Sequence, residues 1–559
     1  MLFKLKPLLI LLALCVVATC SYATEPQVQI SLGKIKGSFM ETALKKKIFA
    51  FRGIRFAKST AGKRRFKLAE PVDPWSGVYD ATKDGFSCSL YDPPEITSED
   101  CLMLNVYTTK LPSANMKVKR PVIAFFHPSV QAFSSRSDRY GPQYLLDEDV
   151  VLVTVNSRLA TFGYISTGDD RVPANLGLKD QVVALKWIQK HISAFGGDPN
   201  SVTLTGCSAG AVSTILHMLS PMSKGLFHRG FIASGAPETR FKSTTNETHI
   251  LLAQAKLVDC PDNDVDKALA CLKTAPRQKF VDTMYQFYQS HGVDIWMPVV
   301  EPNIPGVERF VVGQPNDLIR QGKFYSVPLA IGITKDELLG SVVPSYEAAV
   351  KGDDRVFRNW TENFDYLAPR SMLYERDTER SRNISHQIYK FYFNNEPITT
   401  KNAHKLGEMW SDSNINFISD RAARLLAEYS KTPVYNYMLT YQGRYSNAVW
   451  SDTKKPVGVV HMDDLLYYLT SLNAFPQFNT TDPEWPMVRK ITSLLANFAK
   501  TGESIPKNNE LFKGVTWEPF NPKTQNYLEM GEKFRTKYKM FANRFAFWER
   551  LFPLEPIGQ

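Results

Sequence analysis

Apolar and polar positions along the chain form an alternating succession of strand-like and helix-like segments. Short apolar runs bounded by polar or turn residues predict buried strands at 121–126, 150–155, 202–205, 329–333 and 434–438. Apolar residues at helical spacing predict one helix over 180–195, stopped by the Gly-Gly-Asp-Pro sequence at 196–199, and a second helix that ends at Leu219. This alternation favours an α/β fold with a largely parallel sheet covered by helices on both faces.

The chain carries no long linker and no internal repeat, although its 559 residues exceed the usual size of a single core. Large α/β folds accommodate such lengths by adding helical excursions to one sheet. The region from about 340 to 430 is rich in helix formers and charge, and we expect it to cap the sheet. We therefore predict a single α/β domain over residues 24–559.

The first 23 residues have the pattern of a secretory signal peptide. Lys4 and Lys6 precede an apolar stretch from Leu8 to Val17 that is too short to favour a signal anchor, and 21–23 resembles a cleavage site. Neither a later spanning segment nor a C-terminal lipid-anchor signal follows. We expect an exported, extracellular protein without a membrane span.

Composition and net charge limit the kinds of molecule that the protein is expected to bind. The chain is 43% apolar and 22% charged, as in globular proteins, and carries a formal net charge of +11. A basic balance can serve nucleic acid or anionic surfaces, but no dense Lys/Arg block with interleaved aromatic residues is present. We therefore expect no nucleic-acid partner. The oligomeric state stays open.

Cysteines and sequons agree with export. After removal of the signal, five cysteines remain, and two pairs are close in sequence: Cys88–Cys101 and Cys260–Cys271. Each pair would close a short loop in an oxidising compartment, which leaves Cys207 as a free thiol. Four Asn-X-Ser/Thr sequons begin at Asn246, Asn359, Asn383 and Asn479, so we expect a glycoprotein.

The sequence Gly206-Cys207-Ser208-Ala209-Gly210 matches the Gly-X-Ser-X-Gly pattern of a nucleophile elbow. The pattern alone is weak, because an ordinary glycine-rich turn also produces it. Here it lies between a predicted apolar strand and a predicted apolar helix, which is the context of the elbow in α/β-hydrolases. The helix N-terminus also favours developing negative charge. Ser208 is therefore the predicted nucleophile.

A serine nucleophile needs a base and an acid, which the fold places in the chain order serine, acid, histidine. Three histidines lie in the late region: His386, His404 and His461. His461 follows a short apolar segment that would deliver it on a loop. Asp336 and Glu337 both follow the predicted strand 329–333, where an orienting acid is expected. Pattern alone does not choose between these two carboxylates.

An oxyanion hole is the third requirement. One donor should be the backbone N–H of Ala209, the residue after the nucleophile. The others should come from a loop directly after an early strand, and the candidate is His127-Pro128-Ser129-Val130-Gln131. Such a loop is normally rich in glycine, and this one has none.

Several longer stretches are more specific than the elbow motif. They are Pro74-Trp75-Ser76-Gly77-Val78, Ser-Glu-Asp-Cys-Leu-Met-Leu-Asn-Val-Tyr at 98–107, Asn-Leu-Gly-Leu-Lys-Asp-Gln at 175–181, and Phe-Gly-Gly-Asp-Pro at 195–199. In these motifs the chain resembles the carboxylesterase/cholinesterase family, also called type-B carboxylesterases. Residues 166–169 and 219–229 are similar to insect secreted esterases, and the resemblance runs from about 27 to 553.

The resemblance implies one α/β-hydrolase domain with a mixed, mostly parallel sheet and helical capping segments. It implies hydrolysis of carboxylic esters through an acyl-enzyme, which requires no metal or cofactor. By match to the family's motifs, Ser208 is the nucleophile, Glu337 in Thr-Lys-Asp-Glu is the acid, and His461 in Gly-Val-Val-His is the base. The family's disulfides carry over to the two close cysteine pairs.

The chain departs from the family in the oxyanion loop. The family's loop reads His-Gly-Gly-Gly or His-Pro-Gly-Gly, and Pro128, Ser129 and Val130 stand in those places. The backbone N–H groups of Ser129 and Val130 remain as donors, but the β-branched Val130 resists the backbone angles and close approach that glycine permits. Losing one donor typically costs ~10²–10³ in turnover, so a slow enzyme is predicted. Three further glycines of the family are replaced by Ala160, Ala211 and Leu338.

Two functions stay open on the sequence. The first is a secreted serine carboxylesterase that acts on a small lipophilic ester. The second is a cholinesterase-like binding or adhesion protein that has lost efficient catalysis, which only the altered oxyanion loop favours. The short loop from Cys88 to Cys101 has no tryptophan to bind a choline cation, which argues against an acetylcholinesterase. The sequence does not identify the ester.

Overall fold

The computed structural model describes residues 25–113, 117, 119–128, 136–237, 247–291 and 296–557. The strands are β1 (Gln27–Ile30), β2 (Gly33–Lys36), β3 (Ser38–Glu41), β4 (Lys47–Arg55), β5 (Val78–Asp80), β6 (Met103–Thr108), β7 (Arg120–Phe126), β8 (Val151–Val155), β9 (Gly197–Cys207), β10 (Arg229–Ala233), β11 (Leu329–Thr334), β12 (Val434–Leu439), β13 (Asn526–Met530) and β14 (Phe534–Tyr538). The α-helices are α1 (Ala160–Tyr164), α2 (Leu176–His191), α3 (Ala209–Leu219), α4 (Thr248–Leu257), α5 (Val265–Thr274), α6 (Arg277–His291), α7 (Pro315–Arg320), α8 (Val343–Val350), α9 (Arg355–Glu362), α10 (Phe364–Met372), α11 (Glu379–Phe393), α12 (Ala403–Ser411), α13 (Phe417–Tyr429), α14 (Trp485–Thr501) and α15 (Ala542–Leu551).

Eleven of the described strands form one mixed sheet in the order β14-β13-β12-β11-β10-β9-β7-β8-β6-β4-β3. Every neighbouring pair from β8 to β13 is parallel, and the pairs outside that stretch are antiparallel. Strands β1, β2 and β5 form a small separate sheet. The predicted α/β-hydrolase architecture, a large and mostly parallel sheet flanked by helices, is confirmed.

The central strands are buried on both faces, as the continuous apolar runs predicted. In β7, Val122, Ala124 and Phe126 belong to one hydrophobic core, while Ile123 and Phe125 belong to a second core on the opposite face. Alternate residues of a strand point to opposite faces, so a strand with two covered faces is apolar throughout. Helices α2, α3 and α13 contribute to the first core and α14 to the second.

The strand that leads into the elbow is longer than its apolar pattern predicted. β9 begins at Gly197 and ends at Cys207, whereas the sequence marked only 202–205. Gly196 has φ 82°, the left-handed conformation that glycine adopts readily, and it ends the helical segment where the sequence predicted a stop. The register between β7 and β9 shifts between Gly197 and Val202, so β9 passes Pro199 through an irregularity in the ladder.

The helical region predicted at 340–430 contains α8 to α13, and α13 packs against β11 and β12. Both predicted cysteine pairs are disulfide-bonded, and Cys207 is a buried free thiol. Asn359, Asn383 and Asn479 are exposed. The predicted signal peptide, 1–23, and the sequon at Asn246 lie outside the described residues. Within the described part of the chain, none of the helices has the length and apolarity needed to span a bilayer.

Candidate active site

Three consecutive strands of the sheet end at the same edge and carry the polar residues of the site. Ser208 follows β9, Ser234 follows β10, and Glu337 comes shortly after β11. Because β9, β10 and β11 are parallel neighbours, their C-terminal ends lie side by side. Their order in the sheet therefore brings together residues that are far apart in sequence.

The predicted nucleophile lies on a strained turn. Ser208 has φ 58° and ψ −122°, angles that a residue with a side chain adopts only under constraint. Its N–H donates to Ala233 O at 3.0 Å, and α3 begins at the next residue. A Cβ at Gly210 would lie 2.3 Å from Phe126 O, and one at Gly206 would lie 2.8 Å from the same oxygen. Both glycines of the motif are therefore required for the close packing of β9, β7 and α3.

Glu337 and His461 form the centre of the site. His461 Nδ1 donates to Glu337 Oε2 at 2.7 Å, and the backbone N–H of His461 donates to Glu337 O at 2.8 Å. The other carboxylate oxygen, Oε1, accepts from Ser234 Oγ at 2.6 Å and from the N–H of Thr334 at 2.7 Å. The Glu337 side chain is fully buried, while that of His461 is 22% exposed. With Nδ1 protonated, Nε2 of the neutral imidazole is the ring nitrogen that accepts a proton.

The structure separates the two carboxylates that the sequence left open. Asp336 Oδ2 accepts the N–H of Val459 at 3.0 Å, and the N–H of Asp336 donates to Val459 O at 2.8 Å. Asp336 therefore holds the loop that carries His461, and Glu337 contacts the imidazole itself. The other two late histidines, His386 and His404, are exposed on α11 and α12.

Two buried titratable groups lie beside this pair. Burial raises the pKa of the Cys207 thiol well above its usual range, so the thiol stays protonated and does not compete with Ser208 as a nucleophile. Burial, with a smaller contribution from the charge of Glu337, raises the pKa of Asp464 to about 7. The carboxyl of Asp464 is therefore partly protonated at neutral pH, which reduces the negative charge next to Glu337.

A chamber of about 240 Å³ adjoins the histidine loop. Its lining is mixed: Tyr140, Met462, Leu465 and Leu469 are among the apolar residues, and Arg139, Asn447, Ser471 and Asn473 are polar. Met462 directly follows His461 in the chain, so the chamber is lined by the residue next to the proposed base, although His461 and Ser208 are not themselves lining residues. A concave space that combines apolar walls with polar groups is a candidate small-molecule site.

The structure describes one of the three predicted oxyanion donors. Ala209 is the first residue of α3, and N–H groups in a first helical turn have no partner within the helix. Ser129 and Val130 lie outside the described residues. The described part of their loop, His127 and Pro128, follows directly on β7, which is the neighbour of β9 in the sheet.

Ser234 was not predicted from the sequence. Its hydroxyl donates a hydrogen bond to the oxygen of Glu337 that His461 does not contact. A short signal was present, because the apolar segment Phe231-Ile232-Ala233 directly precedes Ser234-Gly235. Predicting that segment as the strand between those of Ser208 and Glu337 would have placed Ser234 at the same edge. Ser234 also has φ 58°, so the chain turns sharply there, as it does at Ser208.

The chain is similar to carboxylesterases over nearly its whole length. The model of the carboxylesterase family matches residues 24–548. Esterase FE4 of Myzus persicae is 35% identical over 512 residues, which cover 90% of this chain and 89% of that relative. A juvenile hormone esterase of Tribolium castaneum is 29% identical over 574 residues, which cover 96% of this chain and 95% of the relative.

A solved structure shares the fold. The crystal structure of juvenile hormone esterase from Manduca sexta, with OTFP covalently attached, matches this structure with a TM-score of 0.82. The match covers 94% of this chain and 99% of that one, at 26% sequence identity. The similarity therefore includes the sheet and the helices that surround it.

Proposed function

The chain belongs to the carboxylesterase family, and from that membership we propose a secreted serine carboxylesterase with Ser208, Glu337 and His461 as its catalytic triad. As a member of this family it hydrolyses carboxylic esters, as its esterase relatives do. The observation that carries the triad is the 2.7 Å hydrogen bond from His461 to the buried Glu337, at the sheet edge where the elbow presents Ser208.

The proposed reaction has two halves. His461 Nε2 takes the proton from Ser208 Oγ as that oxygen attacks the ester carbonyl carbon, and Glu337 stabilises the imidazolium that forms. The backbone N–H of Ala209 donates to the oxyanion of the tetrahedral intermediate. His461 then returns the proton to the leaving alkoxide, which departs as the alcohol and leaves an acyl-serine. Water attacks this ester with His461 as the base again, and the carboxylic acid is released.

The proposed substrate is a small lipophilic ester. The apolar residues that line the chamber beside His461, such as Leu465 and Leu469, suit an apolar acyl or alcohol group, because burial of such a group in contact with them is favourable. Export is supported by the signal-like pattern of 1–23 and by two disulfides, which persist in oxidising compartments. A single domain over 24–559 is supported by the large sheet, whose strands run from β3 to β14.

A fluorophosphonate probe tests the proposed nucleophile, because it reacts covalently with an activated serine. We expect one phosphonyl group per chain, on the tryptic peptide that contains Ser208. Peptide mass spectrometry measures the site. Protein denatured before exposure is the control and should not react. Modification of the folded protein at another serine, or no modification, would refute the assignment of Ser208.

The oxyanion loop is proposed to limit the rate. Replacing Ser129 and Val130 together by glycine should raise kcat for a short ester by about tenfold or more, because glycine lets the backbone donors approach the oxyanion. Steady-state kinetics measure the effect, and the two single variants separate the contributions. Unchanged kcat in a folded double variant would show that the donors are already well placed.

A further inference from the structure

A second cavity lies between helix α2 and the segment 68–72. Its volume is about 350 Å³, which is within the range of small-molecule pockets. It shares no lining residue with the triad or with the chamber beside His461. The cavity is therefore separate from the proposed active site.

One face of α2 forms a wall of this cavity. Its lining residues recur three or four positions apart: Lys179, Val182, Val183, Lys186, Trp187, Lys190 and His191. The opposite wall is apolar and includes Phe56, Val72 and Leu68, whose exposed fraction is 45%. The cavity is thus an apolar trough with lysines along one side.

Two of these lysines are available to a ligand. Lys179 is bound to Glu301 at 2.6 Å, and both side chains are 4% exposed, so this pair is neutral and internal. Lys186 and Lys190 are exposed, and no carboxylate of the described residues lies within 4 Å of either ammonium group.

With the other titratable groups of the lining included, the cavity still carries a net positive charge at Lys186 and Lys190. Burial lowers the pKa of His191 to about 4, so the imidazole is neutral at physiological pH. Glu308, which is exposed, is the one acidic residue among the described residues of the lining. The two free ammonium groups of Lys186 and Lys190 therefore outnumber the acid.

We propose that this cavity binds a medium-chain or long-chain carboxylate. The alkyl chain lies in the trough, and the carboxylate lies between Lys186 and Lys190. Residues four positions apart on a helix are neighbours, so both ammonium groups reach one carboxylate. The hydrolysis of carboxylic esters releases carboxylates, so the enzyme itself supplies ligands with this charged head group. This inference rests on the protein's hydrolysis of esters, and it does not depend on which residues form the catalytic triad.

Calorimetric titration of the full chain with octanoate and decanoate tests the chemistry of the ligand. Each added methylene should lower Kd about fourfold, so decanoate should bind about fifteenfold more tightly than octanoate. Decanol, which has the chain without the charge, should bind at least about tenfold more weakly than decanoate. Equal affinity for decanol and decanoate, or no binding of decanoate, would overturn the proposal.

Charge variants test the location. The double variant Lys186→Glu/Lys190→Glu should weaken decanoate binding by at least about tenfold. The matched control is Lys533→Glu/Lys537→Glu, which makes the same charge change at two exposed lysines that are four positions apart and do not line the cavity, and it should leave Kd within about twofold. Ester turnover should be unchanged in both variants. Equal affinities in the two variants would refute the site.

A variant that fills the cavity and a photo-crosslinking ligand each test the site without changing its charge. Ala69→Phe narrows the trough without changing its charge and should abolish the dependence of Kd on chain length. A decanoate that carries a diazirine at its tail should crosslink to peptides containing 68–72 or 182–191. Crosslinks confined to the chamber beside His461 would contradict the proposal, even if Ala69→Phe failed to fold.

Discussion

Replacing Ser208 by alanine is expected to lower kcat for a short ester such as 4-nitrophenyl acetate by at least ~10⁴-fold. The alanine variant keeps the small Cβ on the elbow and the binding chamber but has no oxygen to form the acyl-enzyme. Only the positioning of water and the oxyanion donors would remain, and these leave a small residual rate in serine hydrolases. Initial rates at saturating ester, with the melting temperature of the variant, measure the effect.

The matched control for this variant is Cys207→Ala. The Cys207 thiol is buried next to the elbow and stays protonated, so its removal should change kcat by less than about tenfold. A cysteine nucleophile would reverse the pattern, because Cys207→Ala would then be inactive and Ser208→Ala active. A Ser208→Ala variant that retained a tenth of the wild-type rate would refute the acyl-enzyme on Ser208.

The placement of Ser208 and Glu337 could be predicted because strand ends determine it. An apolar run predicts a strand, parallel strands end at one edge, and a polar residue just after such a strand lies at that edge. The same reasoning could not choose between Asp336 and Glu337. Adjacent residues in a loop point in different directions, and only the pairing of Asp336 with Val459 shows which carboxylate holds the loop.

The extent of β9 and the hydrogen bond from Ser234 to Glu337 could not be predicted from the sequence, although the position of Ser234 at the sheet edge could have been. Both depend on neighbours distant in sequence: β7 pairs with the start of β9 before its apolar run begins, and Ser234 acquires its role from the Glu337 carboxylate. Local pattern contains neither contact. The oxyanion loop differs from both, because its lack of glycine can be read directly from the sequence. That lack predicts a low rate of ester hydrolysis, but it does not predict where the backbone donors lie.

Glu337→Gln is expected to lower kcat by ~10⁴-fold, as the corresponding loss of charge does in serine-histidine-acid triads. The amide has nearly the shape of the carboxylate, so the hydrogen bonds from Ser234 and Thr334 to one oxygen can persist. It cannot stabilise the imidazolium, and its NH₂ group favours the tautomer of His461 that is protonated on Nε2. That tautomer cannot take the proton from Ser208.

Asp336→Asn is the matched control, because it makes the same chemical change one residue away. The asparagine oxygen can still accept the N–H of Val459, so the loop that carries His461 should keep its position and kcat should fall by less than about tenfold. Steady-state kinetics and melting temperatures of both variants measure the contrast. A severe loss in Asp336→Asn with a mild one in Glu337→Gln would assign the acid to Asp336. Equal losses with lowered melting temperatures would mean that both carboxylates act by holding the loop, which the separate partners of Glu337 and Asp336 argue against.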